Sequence, residues 1–190
     1  MNNTCKFSAN TQVYLDTFYT ILDKMIEGMT TAELTDSISH NFIVQMIPHH
    51  RAAIEMSHNL LKYTTNIPLQ NIAGQIITEQ TKSIDDMRQI ECRCGQYKNS
   101  RRDLHSYQCH MEQIMQTMFH EMGTACTINQ IDANFIREMI PHHEGAIRMS
   151  ETTLRYSICP ELVPILQAII TSQKRGVRQM RQLLLCTGCR

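Results

Sequence analysis

Residues 41–57, Asn-Phe-Ile-Val-Gln-Met-Ile-Pro-His-His-Arg-Ala-Ala-Ile-Glu-Met-Ser, return at 134–150 as Asn-Phe-Ile-Arg-Glu-Met-Ile-Pro-His-His-Glu-Gly-Ala-Ile-Arg-Met-Ser, with 12 identities in 17 positions and an offset of 93. The offset holds well outside that block. Tyr14, Met25, Met29, Tyr63, Ile76, Ile77, Gln80, Met87, Arg88 and Gln89 fall on Tyr107, Met118, Met122, Tyr156, Ile169, Ile170, Gln173, Met180, Arg181 and Gln182. The chain is one unit written twice, so each copy tests what is read from the other. No linker rich in Gly, Ser or charge separates them. We expect a single domain over 1–190, with repeats at about 11–97 and 104–190 related by a pseudo-two-fold axis.

Each unit divides into three helical segments by apolar period and breakers. The first runs from about Thr11 to Met29, with Tyr14, Phe18, Leu22, Met25 and Met29 as its stripe, copied by Tyr107, Met111, Met115, Met118 and Met122. The second runs from about Ser37 to Tyr63, capped by Asp36 or Ser37, or in copy two by Asn129 or Asp132. The third starts after Asn66-Ile-Pro68 or Cys159-Pro160 and ends near Cys94 or Cys186. Pro48 and Pro141 fall in the middle of the second segment, where the continuing apolar period favours one kinked helix over two. With 7 Gly, 5 Pro and no Trp, a turn-rich sheet protein is disfavoured. The expected fold is all-α: a four-helix bundle core built from the second and third segments of two pseudo-symmetric repeats, with an additional N-terminal helix in each.

On a helical wheel Met46, His49, His50, Ala53 and Met56 share one sector, spanning about 280° to 40° at about 100° per residue. Phe42 and Ser57 fall inside it, so the face is apolar apart from two imidazoles and a hydroxyl. Met139, His142, His143, Ala146 and Met149 repeat it, and Gln80, Ile84 and Met87, like Gln173, Val177 and Met180, give the third segments a matching stripe. Thioether plus imidazole without carboxylate is a soft to borderline donor set that suits copper, above all Cu(I), with zinc as a lesser fit. The primary metal candidates are therefore Met46, His49, His50, Met56, Met87, Met139, His142, His143, Met149 and Met180.

A methionine stripe is ordinarily core filler, and the repeat separates the cases. Met111 and Met115 replace Phe18 and Leu22, so those positions ask only for an apolar side chain. Met25, Met29, Met118 and Met122 are Met in both copies and form a secondary candidate set. Neutral imidazole is the ligand form, so binding is expected to weaken below about pH 6. Cys92-x-Cys94 and Cys186-x-x-Cys189 add a candidate thiolate site if the two helix ends meet. Cys5, Cys109, Cys126 and Cys159 read as structural. His105, His110 and His120 read as a solvated face, because copy one has Thr17 and Glu27 where His110 and His120 stand.

Met-Ile-Pro-His-His-x-x-Ala-Ile-x-Met, followed by Ile-Ile-x-x-Gln and Met, resembles the bacterial domain-of-unknown-function family number 305 across both copies. The resemblance implies a ferritin-like helical bundle and copper binding through Met and His. Lys plus Arg equals Asp plus Glu at 18 each, which argues against nucleic acid as a partner, and no apolar run suits a membrane span. The expected partner is a metal ion, with a homo-oligomer left open. The start lacks a signal-like pattern, so the expected location is the cytoplasm, with cysteines held as thiols or metal thiolates. The expected function is non-enzymatic copper buffering, carrying or sensing. The rivals are a metal-free structural or interaction bundle, and a carboxylate di-iron enzyme hinted at by Glu55-Met-Ser-His58, whose copy is Arg148-Met-Ser-Glu151.

Overall fold

Tyr14, Phe18, Leu22, Met25 and Met29 recur at helical spacing, and in the computed structural model all five are buried on one face of α1 (Ala9–Thr30). Their copies do the same on α4 (Arg101–Gly123). The second segments form α2 (Ile38–Leu61) and α5 (Ile131–Thr153), and the third form α3 (Ile67–Cys94) and α6 (Leu162–Cys186). The structure describes residues 7–186, without the Cys186 side chain, so the readings on Cys5 and on Cys186 and Cys189 as ligands lie outside the described residues. The fold is all-α.

Helices α2, α3, α6 and α5 close a four-membered ring, each packed against the next, while α1 lies on α2 and α4 on α5. Every methionine of the described residues is buried, as are Phe42, Phe135, Ala53 and Ala146. Burying a side chain of that size contributes about 1.5–3 kcal/mol, which is why stripes of this kind dictate which helix faces meet. Helices α2 and α5 run through Pro48 and Pro141 without ending. Each is buried on several sides by its neighbours, and that packing compensates for the backbone bond proline removes.

Ser8, Ser37, Asn66 and Ser100 cap α1 to α4 by accepting from backbone N–H groups one turn in. The expected cap of α5 is corrected. That helix starts after Gln130 with no side-chain cap, and Asn129 instead accepts from the Ser8 N–H at 2.8 Å. The asparagine that opens each repeated block is structural: the Asn41 amide brackets Thr35 by accepting from its N–H at 2.7 Å and donating to its carbonyl at 3.0 Å. Asn134 does the same to Ile128 at 2.9 and 2.7 Å.

The expectation that the cysteines are thiols is also corrected. Cys94, at the end of α3, is joined to Cys159, just before α6, by a disulfide that links the two repeats. Around it the Ser37 hydroxyl donates to the Cys94 carbonyl at 2.8 Å, and the Cys159 N–H donates to the Ser39 hydroxyl at 2.9 Å. These bonds hold the start of α2, the end of α3 and the approach to α6 in register, so the two sulfurs have no freedom to drift apart. Cys92, Cys109 and Cys126 are free and exposed, so Cys109 and Cys126 are not core residues.

Glu138 breaks the symmetry of the ring. It is buried on α5, and the Tyr14 hydroxyl of α1 donates to its Oε2 at 2.6 Å, while Oε1 has no partner among the described residues. Burial pushes its carboxyl up to about 8, against a smaller lowering by the Tyr14 bond. Its counterpart in copy one is Gln45. A carboxyl with a raised folded pKa destabilises the fold as pH climbs from its unfolded value toward the folded one. Glu138→Gln is therefore expected to add roughly 3 kcal/mol at pH 7 and almost nothing at pH 4. Urea unfolding at both pH values checks this; an equal gain at both would refute the titration account.

Candidate metal centre

The Pro-His-His blocks of α2 and α5 meet across the pseudo-two-fold axis. The rings of His49 and His142 stack with centroids 3.6 Å apart and planes 31° apart. His50 and His143 flank them, each with its centroid 5.8 Å from that of its sequence neighbour. His143 is 2 % exposed and the other three 0 %. The order His50, His49, His142, His143 is a continuous imidazole row through the ring.

The inner pair fixes its own tautomers. His49 Nε2 lies 3.2 Å from the His142 carbonyl oxygen, and His142 Nε2 lies 3.1 Å from the His49 carbonyl oxygen. A carbonyl only accepts, so each Nε2 carries the proton and donates. Each Nδ1 is left as a bare lone pair, the form that ligates a metal, with a carbonyl orienting the ring behind it. Two adjacent histidines thus divide their work: His49 and His142 are oriented by each other's backbone, and His50 by the Ser83 hydroxyl at 3.1 Å.

Burial is the first cause of every pKa shift here. It holds His50 down at about 3 and His142 at about 4, with the neighbouring imidazole His142 adding to the fall at His50 and the His49 carbonyl bond opposing it at His142. His49 and His143 are likewise lowered well below the ordinary histidine range, by burial and then by the facing imidazoles. All four rings are neutral throughout the physiological range. The expectation that binding weakens below about pH 6 takes an ordinary imidazole as its ligand, whereas in the metal-free fold burial holds all four rings well below the ordinary range.

Buried polar atoms are nearly always paired, and each exception asks for an explanation such as an ion or an ordered water. Among the described residues, His49 Nδ1, His50 Nδ1, Ser57 Oγ and Gln80 Oε1 have no partner, and neither do their copies His142 Nδ1, His143 Nδ1, Ser150 Oγ and Gln173 Oε1. The same four atoms are orphaned twice, at matching positions of the two copies. Met46, Met56, Met87, Met139, Met149 and Met180 share the interior core. Sulfur, imidazole and neutral oxygen atoms are thus all buried in one core. The serines and glutamines were not among the predicted site residues, yet both pairs are identical between copies, and that identity was the available signal.

The secondary candidates Met25, Met29, Met118 and Met122 are buried in the same core but come from the outer helices α1 and α4, and Met118 packs so tightly on α5 that a Cβ at Gly145 would stand 2.2 Å from its sulfur. Cys92 is exposed, and Cys94 is held in the disulfide. Glu55 and His58 are exposed, and Glu151 pairs with Lys174 at 2.6 Å, so the di-iron spacing does not build a site. Among the described His, Cys, Asp and Glu residues, one group brings three donor atoms within 4.8 Å of one another: Cys94, Cys159 and Glu161. His105, His110 and His120 are exposed, as expected of a solvated face.

The family model described as domain of unknown function (DUF305) matches residues 39–184. Among solved structures, CopM in its silver-bound form, obtained by soaking, is 26% identical with a TM-score of 0.59, covering 80% of this chain and 97% of that one. CopM in the apo form is 27% identical with a TM-score of 0.58, covering 77% and 96%. A DUF305 fragment from Deinococcus radiodurans shares the fold at 23% identity and a TM-score of 0.57, covering 77% and 95%. No curated protein matches the chain.

Proposed function

The chain belongs to the DUF305 family, and from that premise we propose that its twin Met and His faces bind a soft monovalent metal ion, Cu(I) above all, for buffering, carrying or sensing rather than catalysis. The observation that carries this reading is the set of buried polar atoms left unpartnered at matching positions in both copies. A metal-free structural bundle would place those imidazoles against acceptors or replace them with apolar groups, since an unpaired buried polar atom costs about 1–3 kcal/mol. The silver-bound CopM structure supports the same class of ion, because Ag(I) shares with Cu(I) its preference for thioether and imidazole. Zinc, which gains little from thioether sulfur, is the lesser candidate.

The ligands we assign are the Nδ1 atoms of His49 and His142, the imidazoles of His50 and His143, and the sulfurs of Met46, Met56, Met87, Met139, Met149 and Met180. The Cys94–Cys159 bond supports an oxidising compartment, and we propose that location in place of the cytoplasm.

Anaerobic titration with Cu(I) against a competing chelator tests the reading. Met46→Leu with Met139→Leu keeps the core volume and removes two sulfurs. We expect it to weaken Cu(I) binding about tenfold or more, about 1.4 kcal/mol, with unchanged helical content. Affinity equal to that of the unsubstituted protein would assign these methionines to packing, and no binding by the unsubstituted protein would sink the proposal.

A further inference from the structure

The two copies differ in front of the outer imidazoles. In copy one the Ser83 hydroxyl sits 3.1 Å from His50 Nε2 and occupies it. The matching position in copy two is Gly176. A Cβ there would stand 3.0 Å from His143 Cδ2 and 3.1 Å from His143 Nε2, closer than ordinary packing, so only the glycine lets the imidazole edge lie against α6 with no side chain over it. Beside it is a cavity of about 20 Å³ between α3 and α6, walled by His143, Gly176, Gln80 and Gln173, with Glu79 and Arg175 also on its lining. It is large enough for one water or one ion.

Three observations mark it as more than a packing defect. His143 is the one imidazole of the four with any exposure, at 2 %. Gln80 and Gln173, each more than nine-tenths buried, line the cavity and carry unpartnered Oε1 atoms. An ion pair between Arg175 and Glu79 spans α6 and α3 at its edge, and both side chains are half-exposed, free to part without disturbing the core.

We infer that this cavity is the port through which the metal ion reaches the imidazole row. An arriving cation meets the Glu79 carboxylate as the pair with Arg175 opens, then takes His143 Nε2 and the amide oxygens of Gln80 and Gln173 as its first buried ligands. One imidazole and two neutral oxygens hold a soft ion less firmly than thioether sulfur does, so the ion passes inward. A neighbouring pocket of about 170 Å³ shares Glu79, Gln80 and Gln173 with this cavity and reaches His50, Lys82, Ser83 and Asp86, but the imidazole at its end is already occupied at Nε2 by Ser83. The protein therefore loads through His143 although its ring is nearly symmetric. This inference rests on the metal-binding reading above.

Stopped-flow uptake of Cu(I) from a coloured chelator complex, compared among the unsubstituted protein, Gly176→Ser and Ser83→Gly, tests it. A side chain crowded against His143 at this entry is expected to slow uptake about tenfold or more, with the amount of Cu(I) bound at saturation unchanged. Ser83→Gly opens a second port and is expected to raise the rate by up to about twofold, since two equivalent entries double the encounter frequency. Unchanged uptake in folded Gly176→Ser overturns the port. If Gly176→Ser does not fold, Ser83→Gly decides alone: a faster rate supports the port, and an unchanged one overturns it. Unsubstituted protein that takes up no Cu(I) overturns the metal reading and the port together, whereas normal uptake indifferent to both variants overturns the port alone.

Discussion

Between pH 6.5 and 5 the metal-free protein is expected to lose about 5 kcal/mol of stability, enough to bring a domain of ordinary stability close to unfolding. The four ring histidines have folded pKa values below their unfolded ones, near 3 for His50 and 4 for His142. Their neutral forms are at no disadvantage above the unfolded value of about 6.5. As pH falls through 6.5 toward the folded values, the unfolded chain takes up four protons that the folded one refuses, so stability falls. Glu138 acts with the opposite sign in the same window, because its folded carboxyl, at about 8, is already protonated while the unfolded one is not. The net difference near pH 5.5 is close to three protons, or about 4 kcal/mol per pH unit. Urea unfolding at half-unit steps from pH 7.5 to 5 measures this slope directly. A slope of one proton or less would mean the imidazoles reach water or acceptors in the folded state. Glu138→Gln should steepen it by about one proton.

Opening the Cys94–Cys159 bond is the second large effect. The bond closes a loop across a separation of 65 residues, and the chain-entropy account gives such a loop about 4 kcal/mol of stabilisation. Cys94→Ser with Cys159→Ser is expected to lose most of that while keeping its helical content, because the helices also meet through many apolar side chains besides these two. Thiol titration of denatured, unreduced protein supplies the independent check: of eight cysteines, at most six should react. Eight reactive thiols, or a stability change below about 1 kcal/mol, would refute the disulfide's role.

The architecture was legible because the chain repeats itself. The stripe from Tyr14 to Met29 and its copy predicted the outer helices, and the wheel position of Met46, His49, His50 and Met56 predicted which face turns inward. What the repeat could not reveal is whatever the copies do not share. Cys159 aligns with Asn66, so no internal comparison could pair it with Cys94, and the thiol expectation rested on compartment alone. Glu138 aligns with Gln45, and its partner Tyr14 comes from the other repeat. The pairing of His49 with His142 was invisible for another reason. It runs from side chain to backbone carbonyl across the axis, and periodicity places side chains on faces without saying which backbone groups face each other.

That reciprocal bond has a consequence for how such a chain came to be useful. Each half supplies the carbonyl that orients the other half's imidazole, so one half alone leaves its inner imidazole without that partner and needs a second copy of itself. Two separate halves would assemble the row only at concentrations above their dissociation constant. Covalent fusion replaces that with an intramolecular encounter, whose effective concentration is on the order of millimolar for a short connection. A protein made in small amounts then keeps its imidazole row arranged at any dilution. Fusion also releases the halves from identity: a symmetric dimer could not hold serine at one outer imidazole and glycine at the other, or glutamine on one inner helix and glutamate on its mate.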